Sequence, residues 1–204
     1  MSPGKRAMDI GLALFLGVVL APVALILIAC LFATQGRPLL YRAERMRSVD
    51  EGFLLWKFRS MRPDPGDSGV TGGDKSDRIT PMGRTLRRTR LDELPQLWNV
   101  LRGDISFVGP RPPLRRYVEL EPELYREVLK SRPGITGLAT LRFHAHEERL
   151  LAACGSAEET DRVYRRRCVP RKAALDLLYA RHRSFCFDLV LIAETARKVL
   201  PRRA

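Results

Sequence analysis

Hydrophobic and polar positions divide the chain into one long apolar run followed by many short, mixed segments. From Ile10 to Ala33 no charged residue occurs, and Leu, Val, Ile and Ala dominate. The run exceeds the roughly 20 apolar residues a helix needs to cross a bilayer. Pro22 lies midway and disfavours helical geometry at itself and at the residue before it. Basic residues flank both ends, with Lys5 and Arg6 before and Arg37, Arg42, Arg45 and Arg47 after. Positive charge on both flanks is best satisfied with both ends on the cytoplasmic side. The pattern predicts a helix broken near Pro22 that enters one leaflet and returns, each arm rising roughly 18 Å. A kinked true span is the alternative. A secretory signal is rejected, because the apolar core is too long and lacks a clear small-residue cleavage site. The predicted division is a membrane hairpin over residues 1–36 and a cytoplasmic domain over 37–204.

Beyond the apolar run the periods are short. Pro38 to Tyr41 and Phe53 to Phe58 read as strands, and Pro63 to Asp77, rich in Pro, Gly and Asp, as a loop serving as a spacer or a lid. Thr80-Pro81 opens a short basic helix, Met82 to Arg88, with Arg84 and Arg88 on one face, suited to anionic lipid headgroups. Pro113 to Lys130 is expected as one charged helix and Leu138 to Phe143 as a strand. Extended geometry there would put His144 and His146 on one face, a surface pair more often than a zinc site. Glu158 to Leu178 reads as a helix broken near Pro170, and Phe185 to Leu200 as an apolar helix suited to the membrane interface. The fold class is α/β in the broad α+β sense: a small mixed domain with short strands and several helices.

Composition narrows the partners. A formal charge of +13 over 204 residues calls for nucleic acid, an anionic membrane surface or a phosphorylated substrate. The four cysteines show no metal-ligand spacing and read as reduced.

Candidate chemistry concentrates between Leu91 and Pro112, which reads L-D-E-L-P-Q-L-W-N-V-L-R-G-D-I-S-F-V-G-P-R-P. With Asp92 as N-cap, Pro95 would be the third helical residue and Gln96 to Leu101 would continue the helix. An acidic pair at a helix start is usually a cap with favourable dipole charge. Here it follows Arg84, Arg87, Arg88 and Arg90, and the segment ends in the rigid turn Gly109-Pro110-Arg111-Pro112. Paired carboxylates beside an arginine held between prolines suit phosphoryl chemistry.

This string resembles the signature of the bacterial sugar transferases, the monotopic phosphoglycosyl transferases. The likeness extends to Lys5-Arg6 with Asp9, to Trp56-Lys57-Phe58-Arg59-Ser60-Met61, to Arg132-Pro133-Gly134-Ile135-Thr136-Gly137, and to Ser184-Phe185 with Asp188. It implies the re-entrant hairpin, with Ala21-Pro22 where the family often has Ser-Pro. It further implies transfer of a sugar 1-phosphate from a UDP-sugar to polyprenyl phosphate at the cytoplasmic face of the bacterial inner membrane. Asp92 is the implied nucleophile and Mg²⁺ ligand, with Glu93 assisting the metal or taking a proton. Arg59, Arg87 and Arg111 would hold phosphates, and Pro110 and Pro112 would shape the uridine side. Arg142 would stand in for an arginine that other members supply slightly later. Asp188, by itself a helix cap or a partner for Arg183, gains an active-site role from the resemblance. Ala139-Thr140-Leu141-Arg142 departs from the usual Ala-Gln continuation and resembles a sub-branch.

On this reading anionic lipids are partners, nucleic acid is not, and Val118 to Val128 or the last helix offers a surface for a homodimer. Two rival classes use the same residues differently. One is a membrane-anchored basic module that binds anionic lipid or nucleic acid. The other makes the same transfer by direct displacement, with no covalent intermediate. No residue identifies the sugar.

Overall fold

The computed structural model describes residues 1–64 and 70–199, so part of the expected 63–77 loop and the last residues of the chain lie outside the described residues. Helix α1 runs from Pro3 to Gln35. The Ser2 side chain caps it by accepting from the Lys5 amide, Pro3 occupies the first turn, and Gly36, at φ 63°, ends it with an N–H to the Phe32 carbonyl. The helix continues through Pro22, so the two separate arms expected from the sequence are not seen. One missing N–H removes a single helical bond, and the flanking turns carry the helix past it.

Strands β1 (Leu40–Met46) and β2 (Gly52–Phe58) form an antiparallel hairpin with Tyr41 opposite Lys57 and Arg45 opposite Phe53. A 3₁₀ turn, Gly73–Arg78, occupies the end of the region read as loop. Helix α2 (Pro81–Thr89) is capped by Thr80, whose hydroxyl accepts from the Gly83 amide. Helix α3 (Gln96–Arg102) leads to β3 (Ser106–Val108). The expected single helix over 113–130 is two, α4 (Arg115–Leu120) and α5 (Pro122–Val128), because Pro122 cannot continue α4 and instead starts a new first turn.

Strand β4 (Gly134–Thr136) pairs parallel to β3, Ser106 with Gly134 and Val108 with Thr136. The segment expected as a strand over 138–143 belongs instead to helix α6 (Leu138–Ala152), which puts His144 and His146 on a helix. Its apolar residues Leu138, Leu141 and Leu151 recur at helical spacing, and a six-residue window hid that period. Helix α7 (Ala157–Val163), a π-turn (Tyr164–Cys168) and α8 (Val169–His182) follow, with Pro170 in the first turn of α8. Helix α9 (Phe185–Val199) closes the described chain.

Three buried clusters hold the elements. One joins Met46 to α4, α5, α7 and α8 through Tyr117, Tyr125, Val128 and Tyr164. A second joins the first part of α1 to β2, α3, β3, α6, α8 and α9 through Ala13, Leu55, Val100, Leu141, Tyr179 and Leu191. The third seats Leu27 and Leu31 of α1 on Phe58 and Leu86.

Polar contacts fix both ends of α1 to the same body. Lys5 meets Asp188 at 2.5 Å, and Arg6 donates to the Val100 and Leu101 carbonyls at the end of α3. Buried Asp9 accepts from the Ser106 hydroxyl and the Phe107 amide, both at 3.1 Å. At the other end Arg59 donates to the Gln35 and Gly36 carbonyls. Between these anchors Leu14, Phe15, Val18, Val19, Leu25 and Ile26 are exposed, with Val18 at 77%. A contiguous apolar surface of this kind fits membrane association.

Candidate active site

Asp92 and Glu93 sit where α2 gives way to α3. Arg90 adopts a left-handed conformation, φ 59°, and turns the chain into a single 3₁₀ turn, Leu91–Glu93. Pro95 then stands just before the first residue of α3 and not at its third position, so Asp92 is not the N-cap of that helix. The extra turn moves both carboxylates away from the helix end and towards β2. Asn99, fully buried on α3, fixes the distance: its amide accepts from the Trp56 N–H at 3.1 Å and donates to the Leu54 carbonyl at 2.8 Å.

The two acidic residues are buried alike, at 5% and 8% exposure, yet differently engaged. Glu93 meets Arg111 at 2.5 Å, Lys57 at 3.2 Å and Arg90 at 3.7 Å. Burial pushes its carboxyl up, but Arg111 and Lys57 outweigh that and hold it well below the usual range. Arg111 is correspondingly raised by Glu93. Asp92 has Lys57 at 4.0 Å as its nearest ion pair, and among the described residues no hydrogen bond reaches its carboxylate. Its pKa is raised, by burial first and by Glu93, against the pull of Lys57, Arg111 and Arg87.

Arg111 projects from a stiff base. The Gly109 amide donates to Thr136, the Gly134 amide to Pro110 and the Ser106 amide to Pro133. Backbones touch there: a Cβ on Gly109 would lie 2.0 Å from the Arg132 carbonyl. Pro110 and Pro112 are buried, so they lock the turn that aims Arg111.

Of the other expected residues, Arg87 belongs to the site. Its charge acts on Asp92, while its hydrogen bonds go only to the Ser60 hydroxyl at 3.2 Å and the Thr71 hydroxyl at 3.4 Å. Arg59, Arg142 and Asp188 make their contacts elsewhere. Arg59 caps the last carbonyls of α1, because β2 ends beside that helix terminus. Arg142, on the exposed side of α6, pairs with Glu194 at 3.3 Å. Asp188 accepts from Lys5 and from the Tyr179 hydroxyl at 2.6 Å, joining α1, α8 and α9, and its partner is Lys5 instead of Arg183.

Four residues outside the expected set stand here. Lys57 bridges both carboxylates, and Arg90 completes the cations on Glu93. Arg45 on β1 feels the charge of Arg111. His144 on α6 is pushed down to about 3 by burial and by Arg90, Arg111 and Lys172, so its imidazole is neutral. Lys57, with Arg59 in the 56–61 stretch, is directed by the sequence towards the edge of the site without a role of its own; Arg45 and His144 carry no local signal for it.

Among the described residues no group of three or more His, Cys, Asp or Glu side chains could hold a metal ion. With Glu93 committed to three cations, Asp92 is the free oxygen donor. One carboxylate completed by substrate phosphates and waters is a usual Mg²⁺ arrangement, so the residues present fit that ion.

The family model for bacterial sugar transferases matches residues 2–202. The chain belongs to this family. A relative from Rhizobium leguminosarum bv. phaseoli, named exopolysaccharide production protein PSS, is 38% identical over 97% of the chain and 96% of its own length. The UDP-glucose:undecaprenyl-phosphate glucose-1-phosphate transferase of Escherichia coli K12 is 33% identical over 98% of the chain. The UDP-N-acetylgalactosamine-undecaprenyl-phosphate N-acetylgalactosaminephosphotransferase of Aeromonas hydrophila is 30% identical over 96%. The chain spans less than half the length of these last two family members, 41% and 43%.

Proposed function

We propose that this family member transfers a sugar 1-phosphate from a UDP-sugar to polyprenyl phosphate, through an aspartyl-phosphosugar on Asp92. The observation that carries the reading is the contrast between the two neighbouring carboxylates. Glu93 is consumed in holding Arg111, Lys57 and Arg90, whereas the Asp92 oxygens are unbonded among the described residues, with Lys57 at 4.0 Å and the charge of Arg87 acting on them. A nucleophile must be free; a positioning group need not be.

An Asp92 oxygen attacks the phosphorus that bears the sugar, and the bond from that phosphorus to the bridging oxygen breaks. UMP leaves with the electron pair. A polyprenyl phosphate oxygen then attacks the same phosphorus and releases Asp92 as carboxylate. Arg87 and Lys57 neutralise the oxygens between which charge moves, and Arg111, aimed by the proline turn and Glu93, meets the diphosphate. Mg²⁺ held by Asp92 and the donor phosphates would supply further charge neutralisation and keep Asp92 ionised.

Attachment fits the same reading. With both ends of α1 anchored on one body and its middle exposed, the helix suits the membrane interface on the cytoplasmic side. Exposed Arg84 and Arg88 on α2, beside the α1 contact at Leu86, suit anionic headgroups. The named activities of the relatives support the substrate classes, and their differing sugars leave the sugar open.

The test is a single incubation of purified protein with labelled UDP-sugar and Mg²⁺ but no lipid. Stoichiometric UMP and labelled protein are expected, both absent in Asp92→Asn. Turnover seen only with lipid present would replace this reading with direct displacement, and no sugar-dependent signal would favour a basic binding module.

A further inference from the structure

On its far side from Glu93 the Arg111 side chain borders a cavity. Tyr125 of α5, Tyr164 of the π-turn, and Lys172 and Asp176 of α8 line it with Arg111. The empty space is about 320 Å³ when its side open to solvent is counted, but the interior is only about 20 Å³. That is room for one water, or for one group of a water's size, and not for a ring.

One wall is polar where the fold calls for an apolar residue. Val169, Ala173 and Asp176 recur at i, i+4 and i+7, which makes them a single stripe of α8, and Val169 and Ala173 are buried in the cluster around Tyr125 and Tyr164. Asp176 is buried as deeply, at 6% exposure. Its Oδ1 is shielded from solvent and accepts no hydrogen bond among the described residues. The cation one turn earlier is engaged elsewhere: Lys172 meets Glu147 at 2.8 Å and donates to the Tyr164 hydroxyl at 3.3 Å. A buried acceptor without a donor costs stability, so packing alone would favour an apolar side chain at this position. A bare carboxylate oxygen beside a water-sized space suits one hydrogen-bond donor.

Arg111 limits what that donor can be. Its guanidinium, held by Glu93 at 2.5 Å, is the group that meets the substrate diphosphate in the reading above. Each phosphate of a nucleotide-sugar carries a carbohydrate ring, the transferred sugar on one side and ribose on the other. A ring hydroxyl is the size of a water, donates to a carboxylate and lies a few bonds from the phosphate. A phosphate in the cavity would set two anions together, and a polyprenyl chain has no donor to offer.

We propose that this cavity receives one ring hydroxyl of the nucleotide-sugar donor, with the Asp176 carboxylate as its hydrogen-bond acceptor. The role depends on the function proposed above and adds to it a residue that reads the carbohydrate. A site built around such a bond rejects an analogue that lacks the hydroxyl, because the acceptor is then left buried and unpaired.

Calorimetry on the purified full chain tests this, with Asp92→Asn as the background so that binding proceeds without transfer. The probe is the UDP-sugar that labels the wild type in the incubation above; if no UDP-sugar labels it, the function itself is overturned. Asp92→Asn/Asp176→Ala should bind that donor about tenfold more weakly or worse, the loss expected for a hydrogen bond to a charged group. Asp176→Asn, which keeps the shape and one acceptor oxygen, should fall between, and it takes the place of the alanine variant if that one does not fold. Titration with UMP tells the two rings apart: unchanged affinity assigns the hydroxyl to the transferred sugar, and an equal loss assigns it to ribose. Monodeoxy analogues of the donor separate recognition from packing. The analogue without the hydroxyl should bind the background about tenfold more weakly and lose nothing further when Asp176 is replaced. Donor affinity within about twofold of the background, the result for a cavity that holds water only, would overturn the proposal. So would a loss on replacing Asp176 that is the same for every analogue as for the donor.

Discussion

Adjacent carboxylates of equal burial should respond to neutralisation with opposite signs. In Glu93→Gln the charge that balances Arg111 at 2.5 Å, Lys57 at 3.2 Å and Arg90 at 3.7 Å is removed, leaving three cations largely shielded from water. Removing one partner of a buried pair costs about 3 to 5 kcal/mol. Gln keeps an acceptor for Arg111, so the loss belongs at the lower end, about 3 kcal/mol. For a domain of this size that lowers Tm by roughly 6 to 12 °C. Asp92→Asn removes a carboxylate whose folded pKa is raised, chiefly by burial. A raised carboxyl pKa means the charged form is disfavoured in the fold, so the neutral amide should raise Tm at neutral pH while abolishing activity. Thermal melting of the two variants in the same detergent, beside the wild type, reads both effects. Glu93→Gln melting at or above wild type would refute the reasoning, as would Asp92→Asn melting as low as Glu93→Gln, because the division between a positioning and a reacting carboxylate would then have no electrostatic basis.

Asp176, buried on α8 with Oδ1 unpartnered, is pushed up to about 7 by burial against the pull of Lys172. The folded form binds a proton that the unfolded form has released above its ordinary value of 3.8, so stability falls as pH rises from about 4 to 7 and then levels; Asp176→Asn should flatten a melting series over that window and gain up to about 4 kcal/mol above it. Lys5→Ala leaves the Asp188 carboxylate buried without its 2.5 Å partner and should cost about 3 kcal/mol, partly recovered in Lys5→Ala/Asp188→Asn, whereas equal melting of single and double variants would mean the pair carries no coupling. Gly109→Ala would drive a Cβ to 2.0 Å from the Arg132 carbonyl, parting β3 from β4 and dropping Arg111 out of line; a variant with normal melting and normal UMP release would show that the turn does not aim the arginine.

Much of this molecule is written locally. The apolar run, the Ser2 and Thr80 caps and the hairpin strands follow from short-range pattern, and the acidic pair with Arg111 between prolines stood out as one motif. Those features depend on a few neighbouring residues, which a linear reading sees whole. The helix at Leu138–Ala152 escapes a local pattern because its period needs more than the six residues Leu138 to Phe143, and Asp92 is no cap because one left-handed residue, Arg90, inserts a turn.

Charge pairing was decided only in three dimensions. Lys5 lies 183 positions from Asp188, Asp9 lies 98 from Phe107, and Lys57 lies 36 from Glu93; their meeting depends on how α1, β2 and α9 pack, not on spacing. The same is true of Arg59 and Arg45. Both are arginines on or just after the hairpin strands, yet one ends at the carbonyls of α1 and the other feels the charge of Arg111. Sequence supplies the ionisable groups, but burial and the partner within a few ångströms set the energy of each charge, and both are properties of the packed chain.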